Sequence, residues 1–356
     1  GDEVRHNQPR GLVEDLDSLP FPDLSLIRGR EKIKVTPIAT SRGCPHGCSF
    51  CSVIKMFGRG YRERSIESVV DEIEYLRPAS VFFYDDNFTA DRNRTKSLLE
   101  LMLKRGVTPP WTAQVRVDVA KDHELLDLMR RTNCYILYIG FESVNPDTLR
   151  EYNKKQTVEE MARAVRKLHD YGMMVHGMFV FGADSDDATS LRSTTDFALK
   201  HEIDTVQFLM LTPLPGTPYF EDLESQGRLL TRDWGLYDGQ HVVHQPAKMS
   251  PYELQKETFR SMKRFYSVYE CIKMLCGPEV LKFAAKVNWN LVRGRWASVK
   301  GQVRSRVLRS FYRAYGHVLL RRFEAANKDF GEWVKALKHR ASSLRTVTRP
   351  STGKVD

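Results

Sequence analysis

Three cysteines, Cys44, Cys48 and Cys51, fall within eight residues of one another in the stretch TSRGCPHGCSFCSVIKMF at 40–57. Gly43, Pro45 and Gly47 bend the chain between them. Thiolates this close share a metal or meet by coincidence. A structural zinc site needs four ligands in closed tetrahedral coordination, and the loop adds one nitrogen, His46, to its three sulfurs. Four ligands from consecutive residues would strain so short a loop. Ferredoxin-type clusters take four cysteines in a different spacing, which saturates every iron. Three sulfurs on a cubane would leave one iron open, and an open coordination position is what lets a metal site bind a substrate. The spacing therefore favours an iron–sulfur cluster over zinc.

Such a loop needs a rigid frame. From Lys34 to about Gly216 short β-rich runs alternate with helical patterns. Strands are expected at 34–40, 80–86, 111–117, 135–142, 174–182 and 205–216, and helices at 66–77, 92–106, 123–133, 157–172 and 188–202, with Asp122 capping the third. The strand runs are apolar throughout, as parallel strands covered on both faces are. Repeating βα units suit a barrel or a doubly wound sheet. No G-x-G-x-x-G opens a helix after the first strand, which weighs against a dinucleotide-binding fold. Polar residues gather where strands end: Asp85, Asp86 and Asn87, then Arg116 and Asp118, then Glu142 and Ser143. In a parallel barrel that edge carries the chemistry; ordinary loop polarity and capping account for about half of these residues.

Cys-x-x-x-Cys-x-x-Cys with an aromatic before the third Cys, in the loop after the first strand of a βα series, resembles the radical S-adenosylmethionine (SAM) superfamily. That resemblance implies an α/β fold, a partial (β/α)6 TIM-type barrel, with a 4Fe–4S cluster over its open end. It further implies S-adenosylmethionine on the open iron, cleaved by one electron to a 5′-deoxyadenosyl radical that abstracts hydrogen from the substrate. Carried over by position, Cys44, Cys48 and Cys51 are the cluster ligands and Phe50 lies against the adenine. Asp85 or Asp86 meets the amino group, Glu142 or Ser143 the ribose, and Gly182 allows close approach to the adenine. Lys155 stands where many members carry an arginine facing the carboxylate. Ala183 and Asp184 depart from the commoner turn after the fifth strand. The likeness is greatest to the subfamily with an N-terminal cobalamin-binding domain, because LDSLPFPDLSLI (16–27), YDDNF and WTAQVRVD also occur there. No D-x-H-x-x-G motif for a lower cobalamin ligand is present, so cobalamin is expected only if a missing N-terminal domain exists.

The expected organisation is a linker at 1–30, the core barrel at 31–217, a capping segment at 218–270, a basic amphipathic helical tail at 271–345 and a disordered terminus at 346–356. The tail holds 7 Lys and 10 Arg against 3 Glu and 1 Asp between Cys271 and Arg345, a surplus larger than the whole-chain charge of +10. Trp289, Val292, Trp296, Val299, Val303, Val307 and Phe311 recur on one helical face within it. A basic amphipathic helix with Trp and Tyr fits an anionic membrane surface, a solvated helix packed on the barrel is the plainer alternative, and no nucleic-acid-binding motif accompanies the charge. His241 and His244 read as loop histidines or proton donors, Cys134, Cys271 and Cys276 as packing residues, and Tyr84 and Tyr138 as core residues or hydrogen-atom relays. No run of about 18 uncharged apolar residues suggests a membrane span, and scattered cysteines suit a reducing cytoplasm, at the inner membrane surface if the tail docks there. The function expected is C–H functionalisation, including methyl transfer, of a small molecule or lipid, with a flavodoxin or ferredoxin as electron donor. The rival from another class is a zinc-stabilised nucleic-acid-binding module; a third is an electron carrier.

Overall fold

A computed structural model describes residues 7–8, 10–58, 60–277, 279–293, 296–326 and 332–339; the terminus at 346–356, expected to be disordered, lies outside the described residues. Six strands make one sheet: β1 (Thr36–Ile38), β2 (Val81–Phe83), β3 (Trp111–Val115), β4 (Cys134–Glu142), β5 (Met174–Phe181) and β6 (Thr205–Met210). Every pairing in it is parallel and the strand order follows the chain. Right-handed crossovers in that order place all connecting helices on one face. They are α1 (Ile66–Leu76), α2 (Arg92–Arg105), α3 (His123–Arg131), α4 (Val158–Asp170) and α5 (Ala188–Lys200). The fold is the α/β partial barrel expected from the sequence.

Local signals fix these helices. Asp122 accepts from the Leu125 N–H at 3.0 Å and starts α3, and Thr157 with Glu160 forms a reciprocal capping box on α4. Positions on the outer face of the strands, such as Leu137, Ile139 and Phe141, are sealed under the helices. Phe141, Phe179 and Phe208 continue that layer from strand to strand at 5.6 and 5.5 Å between rings, each ring contributing about 1.5–3 kcal/mol by leaving water. The inner face is different. Tyr138, Gly140, His176 and Met178 are only half-buried, because β1 and β6 remain as edges and the sheet stops short of closing. Uniformly apolar runs suggested equal cover on both faces; the structure instead leaves a lumen. β6 also ends at Met210 rather than 216, since Pro213 and Pro215 have no N–H to give to a ladder.

After the sheet, α6 (Pro251–Phe265) packs along α5 and β6. The Tyr266 hydroxyl then donates to the Val206 carbonyl at 2.6 Å and accepts from the Val206 N–H at 2.9 Å, satisfying backbone groups on the free edge of β6. The described tail contains α7 (Val268–Cys276), α8 (Glu279–Val292) and α9 (Trp296–Ala326), followed by a helical stretch at 332–339, and α9 returns across α4, α6 and α7. The single amphipathic pattern read over 288–323 therefore spans two helices. No described helix is long and apolar enough to cross a membrane.

Candidate active site

The cysteine loop leaves the C-terminal end of β1 and is held from below. Asp85, at the end of β2, accepts from the Thr40 N–H (2.8 Å) and hydroxyl (3.0 Å) and from the Ser41 N–H (2.6 Å) and hydroxyl (3.0 Å). Arg94 of α2 donates to the Thr40 carbonyl at 3.1 Å. Asp85 is thus fully engaged with the protein, and burial raises its pKa against the pull of those four donors. Farther along, the Ser49 hydroxyl donates to the Glu151 carbonyl at 2.9 Å, and the Asn153 side chain donates to the Gly47 carbonyl at 2.8 Å. Gly43 has φ +96°, and a β-carbon there would come within 2.3 Å of the Gly60 carbonyl oxygen, so only glycine fits.

Within this frame Cys44, Cys48 and Cys51 are free and half-buried. Burial raises the pKa of the Cys44 and Cys51 thiols; Cys48 and Asp86 raise both further, and Cys44 also raises Cys51. Asp86, not Asp85, faces the loop; burial lifts its own pKa, opposed by the Gly43 N–H. Successive residues leaving a strand point opposite ways, which is why one of the two adjacent carboxylates anchors the loop and the other looks into it.

Glu142 takes φ +63° at the bulged end of β4, and its Oε1 lies 2.7 Å from Lys154 Nζ with both side chains nearly sealed from water. Burial opposes the Lys154 ammonium, but Glu142 and then Cys48 more than offset it, so its pKa is raised. Lys155, the expected cation, is exposed. The lysine beside the cluster loop is Lys154, reached because Asn153, a residue tolerant of the left-handed region, turns the chain at φ +54°. Ser143 is buried and its hydroxyl accepts from the Asn145 N–H at 3.0 Å, closing a turn.

Phe50 packs on Tyr152 with ring centroids 4.7 Å apart, beside Ala183, Leu211 and Tyr219. Gly182 has φ +110°, and a β-carbon there would meet Leu254 Cδ2 at 2.7 Å, so its glycine serves the backbone turn and the packing of α6. His244 Nε2 donates to the Gly182 carbonyl at 3.0 Å, and burial pushes its pKa down to about 4. His244 Nδ1 and the Tyr219 hydroxyl are buried without partners, which marks this aromatic patch as a place for a polar ligand. His241 is a satisfied loop histidine, 3.0 Å from Asp238. Tyr84 is exposed, Cys134 is core, and Tyr138 meets His176 in the lumen with the rings tilted and 4.5 Å apart.

The donor set fits a cluster. Three free, half-buried thiols on one short loop would meet three corners of a cubane and leave the fourth open. Asp86, Glu142 and Lys154 supply both signs of charge at the same edge, as an amino-acid zwitterion requires.

Residues 38–191 match the sequence model of the Radical SAM superfamily. Over 276 residues the chain is 34% identical to bacteriochlorophyllide d C-12(1)-methyltransferase of Chlorobaculum tepidum, covering 74% of this chain and 60% of that one. It is 31% identical to the anaerobic magnesium-protoporphyrin IX monomethyl ester cyclase of Cereibacter sphaeroides, covering 75% of this chain and 45% of that one. The chain thus spans about half the length of these relatives. In fold it is similar to the cobalamin-dependent S-adenosylmethionine radical enzyme OxsB with aqua-cobalamin bound, at a TM-score of 0.59 and 16% identity, over 98% of this chain and 61% of that one.

Proposed function

The chain belongs to the radical SAM superfamily, and on that footing we propose that it is the catalytic portion of an enzyme that functionalises an unactivated C–H bond, with methyl transfer as the outcome. The observation that carries this reading is the trio of free thiols on a loop pinned by Asp85 and Arg94 at the C-terminal edge of a parallel sheet. Cys44, Cys48 and Cys51 would hold a 4Fe–4S cluster. Bound there, that cluster supplies the electron for reductive cleavage of S-adenosylmethionine. Phe50 and Tyr152 offer an apolar wall for an adenine, and Tyr219 and His244 offer it a hydroxyl and an acceptor nitrogen. Asp86 suits an ammonium, and Lys154 a carboxylate. The half-buried lumen gives substrate a way in while the surrounding layer excludes water.

The named relatives methylate or cyclise tetrapyrroles, so a bulky apolar small molecule is the substrate class we favour. Cobalamin, bound in OxsB, would serve methyl transfer only where an N-terminal cobalamin-binding domain accompanies the barrel. An electron donor such as a flavodoxin or ferredoxin would serve the cluster. Peripheral docking on a membrane is part of the proposal, supported by the exposure of Trp289, Val292, Val307 and Phe311 on a basic tail.

Anaerobic reconstitution with iron and sulfide tests the reading. The expected result is a brown protein that forms 5′-deoxyadenosine from S-adenosylmethionine under strong reductant, with both properties lost in Cys48→Ala. A colourless protein holding one zinc would point to the nucleic-acid-binding module instead. A loaded cluster that never cleaves S-adenosylmethionine would point to an electron carrier.

A further inference from the structure

Away from the cysteine loop, a cavity of about 490 Å³ opens where α5, α7 and α9 meet. Lys200, Arg264, Lys273, Arg306, Arg309 and Arg313 line it, against only Asp196, Glu202 and Glu270. Most of these cations have local duties. Arg264 pairs with Asp196, and Lys273 approaches Glu270 at 3.9 Å. Arg309 is held by Glu202 at 3.2 Å and by Asp204 at 3.1 Å from behind the wall, and Asp204 is itself shared with His169. Arg306 donates to the Met274 carbonyl and lies over the Phe283 ring.

Lys200 is exposed at the rim, so Arg313 is the exception among the buried cations. It is 4% exposed, yet no carboxylate among the described residues pairs with it, and its Nε has no acceptor. Its guanidinium rests over the Phe265 ring at 4.8 Å. Burial, and then repulsion from Arg309, push its pKa down to about 10. Glu270, Asp204 and Glu202 attract it without closing an ion pair, and a buried charge left without a direct partner is costly for a fold to keep. A guanidinium fork is also the shape that takes oxyanions bidentately. Among the described lining residues cations outnumber carboxylates, which suits an anionic ligand.

We propose that this cavity binds a phosphoryl group, with Arg313 as its central ligand and Arg309 and Lys273 beside it. The group arrives on a free phosphorylated molecule or as a lipid headgroup.

The test is thermal unfolding of the cluster-loaded chain without S-adenosylmethionine, so that its outcome is separate from the proposed reaction. Inorganic phosphate or pyrophosphate should raise the midpoint of the wild type by roughly 3 °C over potassium chloride of equal ionic strength. Arg313→Met should lose that increment and, in anion-free buffer, unfold no earlier than wild type, because it removes a buried charge left without a direct partner. Response to phosphatidylglycerol vesicles, but not to phosphatidylcholine vesicles or inorganic phosphate, would assign the headgroup; response to phosphate would assign the free molecule. Should Arg313→Met fail to fold, equilibrium dialysis of labelled phosphate and vesicle flotation on wild type and Arg313→Lys decide. Equal responses of wild type and variant, or no saturable binding of either probe, would overturn the proposal.

Discussion

Removing the ammonium of Lys154 strands the Glu142 carboxylate, 2.7 Å away and almost as buried. Lys154→Met should therefore destabilise the fold by about 3 kcal/mol, since a sealed charge loses its ion-pair partner. Glu142→Gln in the same chain should restore more than half of that loss. Urea titration of the two single variants and the double variant checks it, and additive losses would mean that the two groups do not depend on each other. The same pair illustrates what a sequence alone leaves hidden. Glu142 stands out at a strand end, but which of two adjacent lysines turns inward depends on the left-handed backbone at Asn153, which spacing does not reveal. Asp85 and Asp86 were indistinguishable in the sequence for a similar reason: the direction of departure from β2 assigns one to the loop backbone and the other to the thiols.

The cysteine loop is preorganised as an element by neighbours rather than by its own hydrogen bonds. Asp85 takes four donors from Thr40 and Ser41, so Asp85→Asn turns an acceptor of all four into a group that must also donate. We expect a loss of about 1–3 kcal/mol together with weaker iron retention, read as iron per chain after gel filtration under argon. Unchanged iron content would mean that the loop holds its shape without this anchor. At this scale the sequence was informative. Strand and helix order follow from alternating β-rich and amphipathic runs, and Asp122 identifies itself as a cap. The cysteine spacing names its own chemistry, because three soft ligands on one turn have few other uses. The extent of β6 was overread because apolar residues continue past the last ladder bond, and the half-open inner face of the sheet has no signature in runs that look uniformly apolar.

Over the whole molecule, two imidazoles shielded from water, His244 fully and His176 in part, link stability to acidity. Burial lowers the pKa of His176 and of His244 to about 4, from 6.5 in an open chain. The unfolded chain binds these protons near pH 6.5, the folded one only near 4. Stability is therefore complete above 6.5 and falls as the pH drops towards 4, by on the order of 3 kcal/mol per imidazole. Denaturant midpoints between pH 7.5 and 4.5 should decline accordingly, and His176→Gln with His244→Gln should flatten the curve; a wild-type curve already flat would refute the linkage. The tail makes a second prediction at this scale. Flotation with anionic liposomes should be lost on deleting residues 285–345, and equal flotation with and without them would remove the membrane contact. The fold of the tail was the least legible part, since its apolar spacing runs through two helices and its buried arginines lie on the side facing the barrel.

Tyr266 reaches further than its two hydrogen bonds suggest. With Val206 satisfied by its phenol, and the Met210 N–H taken by the Gly239 carbonyl at 2.8 Å, the last strand has little left to offer an incoming peptide. A polypeptide adding a strand beside β6 would first have to evict a side chain already doing a strand's work, so strand addition is left to the β1 edge.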